Sequence, residues 1–181
     1  MAGTDGVYAG MQRFVFDPPE RFVVGTVGQP GERAFYLQAA QSGQLVTIGL
    51  EKAEVTALAE GLSALLGQVG QQQGVPVPAA ADVEVDLAPL QAPFEEDFHL
   101  GQLTVSWDGR RVFVEAAGLS QSQLGAPVSE EDLDSLRVGL SIQQTRAFIE
   151  RARSIVAAGR PSCVLCGRPD GPDGHFCPRL N

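Results

Sequence analysis

Apolar residues recur at three- and four-residue steps through Val55, Leu58, Leu62, Leu65, Leu66 and Val69. That spacing puts them on one side of a helix and predicts the element over about Glu51 to Val69, with a face that must be buried. Phe148, Ala152, Ile155 and Val156 form a second stripe, with Gln143, Arg146, Glu150 and Arg153 on the opposite side. Ser141-Ile-Gln-Gln144 ahead of it has the form of a capping box, and Gly159 and Pro161 end the helix. Elsewhere the pattern shortens to strand length. Arg13 to Phe16, Arg21 to Val27, Arg33 to Ala39 and Leu45 to Leu50 are rich in Phe, Val, Tyr and Ile and are separated by Asp-Pro-Pro, Gln-Pro-Gly and Ser-Gly turns. They predict a four-strand meander. Val83 to Leu87, Phe98 to Trp107, Arg110 to Ala117 and Leu133 to Leu140 predict a second set, with Trp107-Asp-Gly-Arg110 as the turn of a hairpin.

Two stretches share one layout. Phe22-Val-Val-Gly25, Gly31-Glu-Arg-Ala-Phe35 and Ile48-Gly-Leu50 recur in order as Phe98-His-Leu-Gly101, Gly109-Arg-Arg-Val-Phe113 and Val138-Gly-Leu140. Duplication with unequal loops accounts for the shared order. The expectation is an α+β fold: two related strand-rich halves, each closing with a helix, arranged about a pseudo-twofold axis, with a short C-terminal zinc-binding loop. The segments expected are a disordered N-terminus at 1–10, a first repeat at 11–70, a linker at 71–96, a second repeat at 97–159 and a metal-binding tail at 160–181. The linker, rich in Gln, Pro and Ala, reads as partly extended and mobile.

Composition narrows the class. The 181 residues are 44% apolar and 19% charged, enough for a sizeable core, and no apolar run approaches the roughly 20 residues of a membrane span. No secretory signal is visible in Met1 to Gly10, so a cytoplasmic, reducing location is expected. Charge is uneven: residues 1–145 carry seven basic and nineteen acidic side chains (net −12), and residues 146–181 carry six and three (net +3). An acidic body argues against broad wrapping by nucleic acid.

The candidate chemistry is C-terminal. Cys163, Cys166, His175 and Cys177 make two close pairs joined by a Pro/Gly-rich connector, the pattern of a four-ligand structural zinc site. In an extended segment His175 and Cys177 project to one face. Asp173 or water is the alternative fourth ligand to His175. Three thiolates lower the Lewis acidity of the ion, which argues against catalytic zinc; a Cys163-x-x-Cys166 redox pair is the other use of these thiols. Arg160, Arg168 and Arg179 surround the loop and offer an anion contact, a small footprint for nucleic acid. His99 follows Glu95-Glu-Asp97 but starts a strand, and the glycine-rich Gly25 to Gly31 stretch joins two strands rather than opening a helix, unlike a phosphate loop. No catalytic residue is nominated.

Arg21-Phe-Val-Val-Gly-Thr-Val-Gly-Gln-Pro-Gly31, Phe35-Tyr-Leu-Gln-Ala39, Glu51-Lys52 and the ending Gly159-Arg-Pro-Ser-Cys163 through Gly174-His-Phe-Cys-Pro-Arg179 together resemble the domain of unknown function 3090 family, found mainly in actinobacteria and their relatives. The resemblance implies an intracellular bacterial protein with no established activity. Where family members carry Pro after the first cysteine, this chain has Val164, which leaves the ligands intact. The functional expectation is a zinc-stabilised interaction or adaptor protein with an unidentified protein partner and no membrane. The alternatives are an enzyme or small-ligand-binding protein using the cleft between repeats, and a nucleic-acid contact through the tail.

Overall fold

In the computed structural model the described residues are 11–29, 31–121, 132–159, 163, 165–166 and 175–179. They form one mixed seven-stranded sheet with two helices. The strands are β1 (Arg13–Phe16), β2 (Arg21–Val27), β3 (Ala34–Gln41), β4 (Gln44–Leu50), β5 (Phe98–Trp107), β6 (Val112–Leu119) and β7 (Asp134–Leu140). The helices are α1 (Lys52–Gln73) and α2 (Ile142–Ala157). Both sequence-predicted helices are present. α1 runs one turn past Val69 to Gly74, whose φ of 65° is the left-handed conformation that ends helices. α2 has the expected box: the Ser141 hydroxyl accepts from the Gln144 amide at 3.0 Å, and the Gln144 side chain accepts from the Ser141 amide at 2.9 Å.

The sheet order is β1-β7-β6-β5-β4-β3-β2. Within β2-β3-β4 and within β5-β6-β7 neighbours are antiparallel, whereas β4 lies parallel to β5 and β7 parallel to β1. Each three-strand meander is followed by a helix. A twofold axis would bring like strands together in opposite directions; here the last strand of one meander meets the first of the next, running the same way. The expected twofold arrangement therefore gives way to a head-to-tail one, in which β1 stands beside β7 as β5 stands beside β4.

The register also revises the sequence alignment of the halves. Phe35 pairs with Leu50, but the residue paired with Leu140 is Val112, so Phe113 is one position out of step with Phe35. A one-residue slip reverses the face. Phe35 lies in the core under the helices, with Leu37, Ile48, Leu62, Phe98, Val114, Val138 and Ile149, whereas Phe113 lies on the opposite face beneath the Arg137 guanidinium, 4.2 Å from its ring centroid.

Val83 to Leu87 is not a strand. Together with its surroundings it forms a strap that leaves α1, makes one turn of 3-10 helix at Ala80–Asp82, rounds the β2 edge and crosses the face of the sheet away from the helices before entering β5. Polar partners hold it, in contrast to the mobile linker expected. Arg21 donates to the Asp86 carboxylate at 2.6 Å and to the Ala88 and Pro89 carbonyls at 2.9 and 3.0 Å. Further along, Leu90 sits where a Cβ on Gly25 would be, its Cγ 2.6 Å away, so β2 carries a glycine at this crossing. The buried Gln38 amide both donates to the Gln91 carbonyl and accepts from its N–H, each at 2.8 Å. Asp97 ends the crossing by accepting from the Thr47 amide at 2.7 Å.

Arg151 is the buried counterpart of Arg21. At 5% exposure on α2, it donates from Nε to the Val24 carbonyl of edge strand β2 at 2.6 Å, from Nη1 to the Asp86 carbonyl and from Nη2 to Ala88 O at 2.9 Å. Burial lowers its pKa, opposed by the charge of Asp86. Every nitrogen of the guanidinium thus has a carbonyl partner, which is what allows the group to be buried.

Candidate metal centre

α2 ends at Ala157, and Cys163 follows after a short segment outside the described residues. The four expected ligands converge: one donor atom from each of Cys163, Cys166, His175 and Cys177 lies within 4.8 Å of every other. Cys163 Sγ and Cys177 Sγ are 3.9 Å apart, and Cys166 Sγ is 3.0 Å from His175 Nε2. A tetrahedral ion with metal–sulfur bonds of about 2.3 Å would place its sulfur ligands about 3.8 Å apart. A disulfide needs sulfurs near 2.05 Å, and none of the three cysteines is in one. The donor set and its spacing fit one metal ion that these four side chains could hold.

The surrounding groups act on the sulfurs. The Arg179 backbone N–H donates to Cys177 and favours its thiolate, while burial and the Cys166 and Cys163 thiols oppose it; the net effect holds the Cys177 thiol above its ordinary value. With a dication bound at the centre, the Cys177 thiol would be favoured as its thiolate. Arg179 also ties the two halves of the loop together, its Nη1 donating to the Leu165 carbonyl at 2.9 Å. Of the three arginines expected to form an anion contact, it alone is described. Arg160 and Arg168 lie outside the described residues, as do Asp173, Gly167, the Pro169 to Gly174 connector, Pro161 and residues 1–10.

Among the described residues two exposed apolar side chains sit between the ligands: Leu165, 42% exposed, between the first two cysteines, and Phe176, 81% exposed, between His175 and Cys177. Their position within the ligand pairs is legible in the sequence; their exposure is not.

The remaining candidates are accounted for by the fold. His99 is half exposed on β5, its Nδ1 3.4 Å from Glu96 Oε2. Gly25 to Gly31 bridges β2 and β3, as expected. A cavity of about 460 Å³ lies over the open face of β1, β7, β6 and β5, where the ion pair of Arg137 with Glu115 (3.1 Å) stands beside Arg13, Thr104 and Ser135. Its lining combines β1, from the first expected repeat, with β5, β6 and β7 from the second. Sequence reasoning missed Arg151, Arg21, Asp86 and Gln38, which hold the strap. Only Arg151 left a signal: it is three residues after Phe148, on the buried side of α2.

An α+β sheet with helices on one face and an appended Cys3His cluster is thus the class of protein that fold and site define. The family model described as "Protein of unknown function (DUF3090)" matches residues 14–177, and the chain belongs to that family. No curated protein and no solved structure matches it. Among the described residues no helix is long and apolar enough to cross a membrane.

Proposed function

We propose that the chain is an interaction protein whose C-terminal loop is held in shape by a structural zinc ion. The observation that carries this reading is the convergence of the four donor atoms within 4.8 Å, with Phe176 left 81% exposed between two of them. Four protein ligands complete the tetrahedron, so the ion has a structural part to play and no position for substrate. Binding it supplies on the order of 10 kcal/mol of local ordering to a loop with almost no core of its own. An exposed phenylalanine on a backbone fixed in this way loses little entropy when a partner covers it, the property that makes a contact residue effective.

The two meanders support a tandem duplication. Gln38 and Thr47 in the first occupy the sheet positions that Glu115 and Arg137 occupy in the second. The first pair binds the strap, and the second lies on an open face.

Metal analysis of the purified chain, followed by cadmium-113 substitution, tests the reading. One zinc per chain is expected, with a cadmium resonance characteristic of three sulfurs and one nitrogen. A chain purified without metal that takes up none on addition of zinc would overturn it.

A further inference from the structure

The exposed Phe176 has a complement on the same molecule. Between α1 and β5 lies a groove of about 270 Å³, lined by Ala57, Leu58, Gly61, Leu103 and Val105, with the Glu54 carboxylate among its walls. Small residues at 57 and 61 keep the helix side low, and a Cβ on Gly61 would come no nearer than 3.8 Å to Val105. The groove has room for one phenylalanine ring. The Glu54 side chain accepts from the Glu51 amide through Oε2, which leaves its other oxygen for a cation.

We propose that Phe176 of one chain docks into the α1/β5 groove of a second copy, with Arg179 directed to Glu54. This rests on the metal-held loop described above, which fixes Phe176 and Arg179 relative to each other. Three observations select a second copy as the partner. Knob and groove match in size and apolar character; the groove carries a carboxylate and the knob lies three residues from the cation Arg179; and the whole chain divides the same way, net −12 over residues 1–145 and +3 over 146–181. Knob and groove are different patches, so the contact is head-to-tail: it exchanges reciprocally in a pair or continues into a larger assembly.

Analytical ultracentrifugation of the full, zinc-loaded chain provides the test. Wild type should self-associate with rising concentration. Phe176→Ala removes the knob, and Gly61→Leu fills the groove; each alone should weaken association more than tenfold, as for a buried aromatic anchor. Mixing the two variants restores one intact junction, since the groove of one and the knob of the other are untouched, so a heterodimer should form. Circular dichroism and zinc content measured on the same samples separate docking from folding and from the metal reading. Variants that are folded and fully loaded but monomeric support the docking, whereas a wild type without metal contradicts the metal centre instead. A wild type monomeric up to the millimolar range, a Phe176→Ala chain that associates as wild type does, or a mixture that stays monomeric would each overturn the proposal.

Discussion

Replacing Arg151 with Met removes three charged hydrogen bonds while leaving a side chain of similar length in a site only 5% exposed. The strap carbonyls of Asp86 and Ala88 can regain water if the strap lifts, so their loss is partly repaid by solvation. The Val24 carbonyl cannot, because its bond to Arg151 is buried against the helix layer. An orphaned buried acceptor costs about 1–3 kcal/mol and each hydrogen bond to a charged group contributes about 1.5–3 kcal/mol. Asp86 is 39% exposed and keeps its hydration, so the larger penalty of a stranded buried charge does not arise. The expected loss is about 3 kcal/mol, which at a urea slope of about 2 kcal/mol per molar lowers the unfolding midpoint by about 1.5 M. Arg151→Lys, which keeps the charge but not the three-way fork, should lose about half as much. Arg21 and Arg151 grip the same strap at Asp86 and Ala88, so the double variant should show coupling of at least about 0.5 kcal/mol. A fall of less than about 1 kcal/mol in Arg151→Met would refute the idea that this guanidinium joins helix, sheet edge and strap.

The same cluster sets a pH dependence. The Arg21 hydrogen bond, first, and the charges of Arg21 and Arg151 hold the Asp86 carboxyl below its ordinary value of 3.8 against the opposing effect of burial. Its contribution is therefore complete above that value and is lost as pH falls through the lower folded one, so Asp86→Asn should flatten the acid limb of a stability-against-pH curve. Gly25→Ala should destabilise by about 1–3 kcal/mol because its Cβ meets Leu90, and adding Leu90→Ala should recover much of that loss in the same urea melts. At Gly118 the obstacle is the His99 backbone carbonyl, which cannot rotate away, so Gly118→Ala should cost more than Gly25→Ala. Cys177→Ser should abolish stoichiometric zinc binding, measured by elemental analysis, while leaving the far-ultraviolet dichroism of sheet and helices nearly unchanged, since the core is built from residues 16–152.

Features encoded within a few residues of one another are legible in the chain itself. The α1 stripe, the Ser141–Gln144 box, the turn at Asp108-Gly109 and the two close ligand pairs depend on spacing along one element, and local geometry makes that spacing explicit. Asp108 bears this out: its side chain accepts from the Arg110 and Arg111 amides at 2.7 Å, and Gly109 sits at φ 99°.

The tertiary structure decided whatever depends on distant pairing. Val83 to Leu87 has strand composition, yet the partners of the strap's Asp86, Ala88 and Pro89 carbonyls are side chains of Arg21 and Arg151, 63 to 68 residues away, and these draw it around the sheet edge. Phe35 and Phe113 share a motif, yet one residue of register sends them to opposite faces. The repeated layout is visible in the sequence, but head-to-tail order rather than twofold order follows from the parallel pairing of β4 with β5, and no local pattern specifies the partner of an edge. Spacing alone picked out the four residues that converge, because a tetrahedral ion would ask only for four donors within a short reach. The exposure of Phe176 depends instead on what the rest of the fold fails to cover.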